Sequence, residues 1–264
     1  MSDQPLKAAV QAQFAASAEA YVTSTVHANR PDLQRMVALA GPRGDERVLD
    51  IATGGGHTAL AFAPHVREVV ATDLTPAMLA AAERFITTEL TATGLPLNVR
   101  FERADAEALP FADASCDVVT CRVAPHHFAD VALFVREVAR ALRPGGVFVL
   151  DDTIAPADPD LDQFINTVEQ LRDPTHVRDY TLAEWQALCA AAGLTITHSE
   201  TFTKTLPFGD WCARARVAPA VQAELQRRLL GATPAARHAF GVMAEQGQVR
   251  QFVLHSALVV ARKA

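Results

Sequence analysis

Cysteine is scarce in this chain of 264 residues, and the four present, Cys116, Cys121, Cys189 and Cys212, form no C-x-x-C pair. That density excludes a disulfide scaffold and reads as reduced thiols in the cytosol. Basic charge is not in excess either: 24 Lys and Arg stand against 30 Asp and Glu, a formal net charge of −6. A nucleic-acid binder draws its affinity from a dominant Lys/Arg surface, so that class is set aside. No segment approaches 18 consecutive apolar residues, and the start, Met1 to Pro5, lacks a basic region followed by an apolar one. Neither a membrane span nor a secretory signal is expected, and the chain reads as cytoplasmic. His126 and His127 are adjacent and have no E-x-x-H partner, so no metal site is expected. Internal repeats, low-complexity linkers and a Pro/Gly-rich boundary are all missing, which leaves a single domain.

What is present is alternation. The Ala-rich residues 1–42 carry helical spacing with Phe14, Tyr21, Val22 and Val26 as large apolar anchors, and read as a cover. From Glu46 onward, Arg47 to Ile51, Glu68 to Thr72, Asn98 to Glu102, Cys116 to Arg122 and Gly146 to Asp151 read as strands with helices between them. Thr75 is an expected N-cap with Pro76 at the first helical position, and the helix runs to Gly94. Asp130 caps Val131 to Leu142, Asp158-Pro159 opens another helix, and Thr181 to Glu184 is a capping box closed at Gly193. This pattern predicts a mostly parallel sheet with helices on both faces. Thr195 to Phe202 and Arg250 to Ala261 read as a final strand pair interrupted by a helical insertion over 208–247. The domain core is therefore 43–207 plus 248–264.

The chemistry sits at strand ends. Val48-Leu49-Asp50-Ile51-Ala52-Thr53-Gly54-Gly55-Gly56-His57 is a strand running into a glycine turn and a helix. Glycine is needed where a ligand must approach the backbone. Alone this also satisfies a loose dinucleotide fingerprint, which keeps a nicotinamide-dependent oxidoreductase open. Asp73 ends the second strand 19 residues after Gly54, where a carboxylate accepts from both hydroxyls of a ribose. Asp105, ending the third strand, is placed to accept from an adenine amino group, and the Ala106 N–H to meet a ring nitrogen. For Asp50 the alternative is a strand-end carboxylate that only caps the loop.

These residues resemble the class I S-adenosylmethionine-dependent methyltransferases, in the branch related to the ubiquinone/menaquinone C-methyltransferases. Cys121-Arg122-Val123-Ala124-Pro125-His126-His127-Phe128, Leu142-Arg143-Pro144-Gly145-Gly146 and Leu171 to Arg178 are similar to a group of small bacterial members. The family pattern D-x-G-x-G-x-G falls on Asp50, Ala52, Gly54 and Gly56, with Ala52 in place of the first glycine, acceptable if its φ is negative. The resemblance implies a Rossmann-like α/β fold with a seven-stranded, mostly parallel sheet, its last strand antiparallel. It implies S-adenosyl-L-methionine as cofactor, with S-adenosyl-L-homocysteine as product. In that assignment Gly54 and Gly56 line the methionine and ribose, with Thr53 and Tyr21 in the same set. Asp73 holds the ribose, Leu74 and Met78 pack the adenosine, Asp105 and Ala106 hold the adenine, and Arg122 lies near the methionine.

The expected activity is transfer of a methyl group to a small-molecule acceptor by a monomer or homodimer. A cofactor-binding protein without catalysis is the other alternative. His126 and His127 follow the fourth strand and are the candidate bases, a role worth about 10²- to 10⁴-fold, unless they only shape the pocket. Asn166, Glu169, Arg172 and Asp173 read as a solvated helix face. The alternative is that they border the acceptor with His176 and Arg178. Trp185 reads as core, Trp211 as core or substrate contact in equal measure, and Cys121 as packing. The N-terminal helices and the 208–247 insertion are the expected lid.

Overall fold

The computed structural model describes residues 4–23 and 30–264, so Val26, expected as an anchor, lies outside the described residues. Helices α1 (Gln4–Ala15), α2 (Ala18–Val22) and α3 (Arg30–Ala40) precede β1 (Arg47–Ile51). Then come α4 (His57–Phe62), β2 (Glu68–Asp73), α5 (Pro76–Thr93), β3 (Val99–Arg103), β4 (Cys116–Arg122), α6 (Val131–Ala141) and β5 (Leu142–Ala155). They are followed by α7 (Pro159–Arg172), β6 (Tyr180–Thr181), α8 (Leu182–Ala191) and β7 (Leu194–Pro207). Finally α9 (Phe208–Arg214), α10 (Pro219–Leu230), α11 (Pro234–Ala239) and β8 (Met243–Glu245) separate β7 from β9 (Gln248–Lys263).

The sheet order is β3-β2-β1-β4-β5-β9-β7, with β6 paired to β5 and β8 to β9. Only β9, the last strand, runs antiparallel to its neighbours β5 and β7 in that order. The strands separate two apolar layers because alternate side chains point to opposite faces. Leu49, Val119 and Phe148 face Phe134, Val135 and Val138 of α6 and Trp185 of α8. Their chain neighbours Val48, Val118 and Val149 face Met36, Phe62, Ile86 and Leu90 of α3, α4 and α5. Each such fully buried side chain contributes roughly 1.5 to 3 kcal/mol. Trp185 is therefore core, and all four cysteines are buried and free.

Local signals explain the helix starts. The Asp130 carboxylate accepts from Leu133 N at 2.8 Å, and Thr181 with Glu184 forms a complete capping box. At α5 the cap works differently from the expectation. Thr75 occupies the N-cap with Pro76 following, but its hydroxyl makes no cap bond, and the Asp73 carboxylate takes the Thr75 N–H at 2.8 Å.

Three further expectations are corrected. No helix joins β3 to β4; residues 104–115 form a loop pinned by a bridge between Asp105 and Ala108. The insertion is not wholly helical, since β8 hairpins onto β9. The polar side of α7 is not a solvated face: Asn166, Glu169 and Asp173 are buried. The chain after α7 folds back over it, and Asn166 Oδ1 accepts from Asp179 N at 2.7 Å. The insertion itself brings an apolar cluster, with Trp211, Leu225, Leu229 and Phe240 packed against α7 and β9, and so forms a wall.

Candidate active site

Strand order reverses between β1 and β4, and the crevice outside the carboxyl ends of the strands at such a point is where open α/β sheets bind ligands. A cavity of about 980 Å³, its mouth included, opens there. Its floor is the glycine turn. Gly54 has φ +54°, and a Cβ on it would meet nothing nearer than Ala52 O at 4.0 Å, so a side chain there would project into open space. Gly54 N donates to Asp73 Oδ2 at 3.1 Å, which ties the turn to the end of β2. Asp73 Oδ1 accepts the Thr75 N–H as Oδ2 accepts that of Gly54, and the carboxylate itself lines the cavity. Burial, opposed by those N–H groups, raises the Asp73 pKa above the ordinary carboxylate value.

Of the residues singled out from the sequence, Tyr21, Ala52, Thr53, Gly54, Asp73, Leu74, Met78, Asp105, Ala106 and Arg122 all line this cavity. Asp50 and Gly56 do not. Both Asp50 oxygens are taken from behind, by the hydroxyls of Thr53 and Thr120 at 2.6 Å each, and burial raises its pKa to about 6. This is the loop-capping alternative. Gly56 is instead a packing glycine, since a Cβ there would lie 2.8 Å from Ile86 Cδ1. Ala52 also departs from the expectation, for its φ is +53°. It keeps the left-handed conformation of the glycine it replaces, and Val123, at the end of β4, is left-handed too at φ +52°. Two left-handed non-glycine residues thus stand on one cavity wall, at a cost of order 1 to 3 kcal/mol each.

The N-terminal helices close the top. A Cβ on Gly55 would lie 2.9 Å from the Tyr21 backbone, and His57 Nε2 bonds Tyr21 O at 3.1 Å. Phe14 stacks edge-on against both Tyr21 and His127, with centroids 5.6 and 5.0 Å away. Lys7 was not anticipated. Its ammonium reaches Asp105 Oδ2 at 2.7 Å and Glu107 Oε2 at 2.6 Å. A lone lysine on an Ala-rich helix carries no signal of a partner 98 residues away.

A second chamber of about 1000 Å³ adjoins the first and shares Tyr21, Arg122, Val123 and His127 with it. His126, Glu169, Arg172, Asp173 and Trp211 line it, so the border reading for the α7 residues and the contact reading for Trp211 gain a common location. His176 packs behind, its ring 5.5 Å from that of His126. Arg178 is turned away, paired with Asp162 and Glu184.

The two candidate bases are unlike each other. His126 Nδ1 lies 2.7 Å from Asp152 Oδ1; burial opposes its charge, but Asp152, with Asp179 and Glu169 beyond, raises its pKa to about 9. His127 donates from Nδ1 to Thr175 O at 3.0 Å, and burial together with the charge of His126 lowers its pKa to about 3. His126 is therefore an imidazolium at neutral pH and His127 a neutral ring whose Nε2 keeps its lone pair. Burial also pushes the Cys121 thiol well above its ordinary value, which leaves it inert.

Comparison with known proteins decides the class. Residues 49–150 match the family model described as a methyltransferase domain. Over 247 residues the chain is 40% identical to the uncharacterized methyltransferase YcgJ of Bacillus subtilis, covering 93% of this chain and 96% of that one. The chain is a class I methyltransferase. The solved YcgJ structure superposes with a TM-score of 0.84 at 39% identity, over 89% of this chain and 99% of that one. The BH2331 protein of Bacillus halodurans C-125 gives 0.85 at 39% identity, over 88% and 99%. The demethylmenaquinone methyltransferase of Deinococcus radiodurans is 37% identical over 156 residues, 56% of this chain and 62% of that one. The oxidoreductase alternative is thereby closed. Among the described residues of the methyltransferase, no group of three His, Cys, Asp or Glu is placed to hold a metal ion, and no helix is long and apolar enough to cross a membrane.

Proposed function

We propose that this enzyme uses S-adenosyl-L-methionine and transfers its methyl group to a small-molecule acceptor in the second chamber. The observation that carries the reading is the pair Gly54 and Asp73: an open glycine cradle bonded to a buried strand-end carboxylate that lines the same cavity. Asp73 would hold the ribose hydroxyls, Leu74 and Met78 the adenosine faces, and Ala106 N the adenine edge. Asp105 serves the adenine amino group once Lys7 shares or releases it. Arg122, held by Asp151 at 3.1 Å, would lie beside the methionine end.

When bound, the cofactor supplies a methyl already activated by its sulfonium, so the chain's task is alignment and exclusion of water. Effective molarities for such aligned pairs reach about 10⁵ to 10⁸ M, which makes positioning sufficient without strong base chemistry. His127 fits this division of labour, because its free Nε2 accepts a hydrogen bond from an acceptor while its low basicity disfavours taking the proton outright. Phe14 and Tyr21 close the border between the two chambers and keep water out. Four buried thiols and an acidic balance support a cytoplasmic site of action.

The test is incubation with methyl-labelled S-adenosylmethionine and fractionated small-molecule extract, followed by mass spectrometry. A labelled metabolite formed by the wild type but not by the Asp73→Ala variant supports the reading. Label that enters no small molecule from any fraction contradicts it, and tight cofactor binding without turnover would favour the sensor alternative.

A further inference from the structure

Five cationic side chains border the second chamber, and four of them are matched by a carboxylate. His126 has Asp152 at 2.7 Å, Arg122 has Asp151 at 3.1 Å, Lys204 has Asp151 at 3.5 Å and Arg172 has Glu169 at 3.6 Å. Arg214, at the end of α9, has no hydrogen-bond or ion-pair partner among the described residues, although it is only partly exposed. Burial and the like charge of Arg172 depress the Arg214 pKa, against the weaker opposing pull of Asp210 and Glu169 at longer range. Arg172 is held by Trp211 as well as by Glu169. Its Nε donates to Trp211 O at 3.2 Å and its guanidinium lies over the Trp211 ring, 5.0 Å from the centroid.

Two adjacent guanidinium groups facing a cavity repel each other and lose hydration, a cost that an oxyanion bound between them removes. Guanidinium also offers planar, paired donors that suit carboxylate and phosphate oxygens. The same two arginines also line a smaller neighbouring pocket, with Gln13, Ser17 and Asp173. Leu206, Leu254 and the Trp211 ring supply the apolar remainder of the wall.

We propose that Arg214, with Arg172 beside it, is the anion subsite of the acceptor, and that the acceptor is a small molecule bearing a carboxylate or phosphate on a partly apolar body. This rests on the reading of the adjoining cavity as the cofactor site. Anchoring the anion at α9 leaves the rest of the acceptor spanning toward the border formed by Tyr21, Val123 and His127, where the methyl must arrive.

The probes are benzoate, inorganic phosphate and the neutral isostere benzamide, titrated into protein saturated with S-adenosylhomocysteine. Trp211 fluorescence reports binding, since its ring lines the chamber under Arg172, whereas Trp185 packs between the sheet and α8 away from it. Benzoate or phosphate should bind at least about tenfold more tightly than benzamide, with that preference lost in Arg214→Gln and largely kept in Arg214→Lys. The better anion tells carboxylate from phosphate. Arg237→Gln, on an exposed turn of α11, should change nothing, and S-adenosylhomocysteine affinity should be equal in all variants. If neither anion outbinds benzamide, or Arg214→Gln binds as the wild type does, the subsite assignment is wrong. A wild type that fails to bind S-adenosylhomocysteine would instead overturn the cofactor reading beneath it.

Discussion

His126 and His127 are consecutive, with ring centroids 4.3 Å apart, yet they hold opposite protonation states. The cause is their partners. Asp152 faces one ring and a backbone carbonyl faces the other, so the first proton is bound tightly and its charge repels a second. In the reaction proposed above, His126 would act as a fixed charge beside the second chamber and His127 as an oriented hydrogen-bond acceptor.

The pH profile follows from these values. The folded pKa of His126, about 9, lies above its ordinary 6.5, so its contribution to stability is full below 6.5 and is lost as pH rises through 9. For His127 the neutral form is the folded one, so stability falls as pH drops below 6.5 toward 3. The histidines should therefore impose no limb on turnover between about pH 5 and 8, and a decline should set in near 9 that is absent in His126→Ala. Steady-state rates over pH 5 to 10 check this. A limb centred near 6.5 that disappears in His127→Ala would make that residue a general base after all.

Ala52 carries a left-handed backbone without being a glycine, so Ala52→Gly should stabilise the protein. The strain released, of order 1 to 3 kcal/mol, less the roughly 0.5 to 1 kcal/mol that glycine costs in entropy, leaves a net gain of about 1 kcal/mol. For a chain of this size each kcal/mol is worth roughly 2 to 4 °C in Tm. Thermal unfolding measures it. A lowered Tm would mean that the strain is absorbed elsewhere in the turn.

Gly55 is where the N-terminal cover rests on the glycine turn, with room for no side chain. Gly55→Ala should push Tyr21 off the site while the sheet core stays folded. Proteolysis within residues 4–23 should quicken, and the acceptor KM should rise by about tenfold, more than the cofactor Kd. Unchanged proteolysis and KM would show that the cover does not close the site.

The sequence was legible where local chemistry decides structure. The ends of β1 and β4 follow from compact apolar runs, and the spacing of Asp73 from Gly54 follows from a strand–turn–helix unit. The glycine turn, Asp73, Asp105 and Arg122 were found on one cavity for that reason. Long-range folding hid the rest. Nothing local indicates that Lys7 would cross to Asp105, or that the 173–181 segment would fold over α7 and bury Asn166, Glu169 and Asp173. The negative φ expected of Ala52 is not found because residue identity predicts backbone angle only on average, and here the turn imposes φ +53° on an alanine. The opposite ionisation of the two histidines depends on Asp152 and Thr175, which lie 26 and 48 residues further along.

The most direct test of the central claim is calorimetric titration with S-adenosylhomocysteine of the wild type, Asp73→Ala and Asp50→Asn. Wild type should bind S-adenosylhomocysteine and not NAD. Asp73→Ala should bind at least about tenfold more weakly, because charge-assisted bonds to hydroxyls are worth roughly 1.5 to 3 kcal/mol each. Asp50→Asn should match the wild type within about threefold, since its carboxylate faces two threonines rather than the cavity. Equal affinity in wild type and Asp73→Ala, or no binding of S-adenosylhomocysteine at all, would contradict the account.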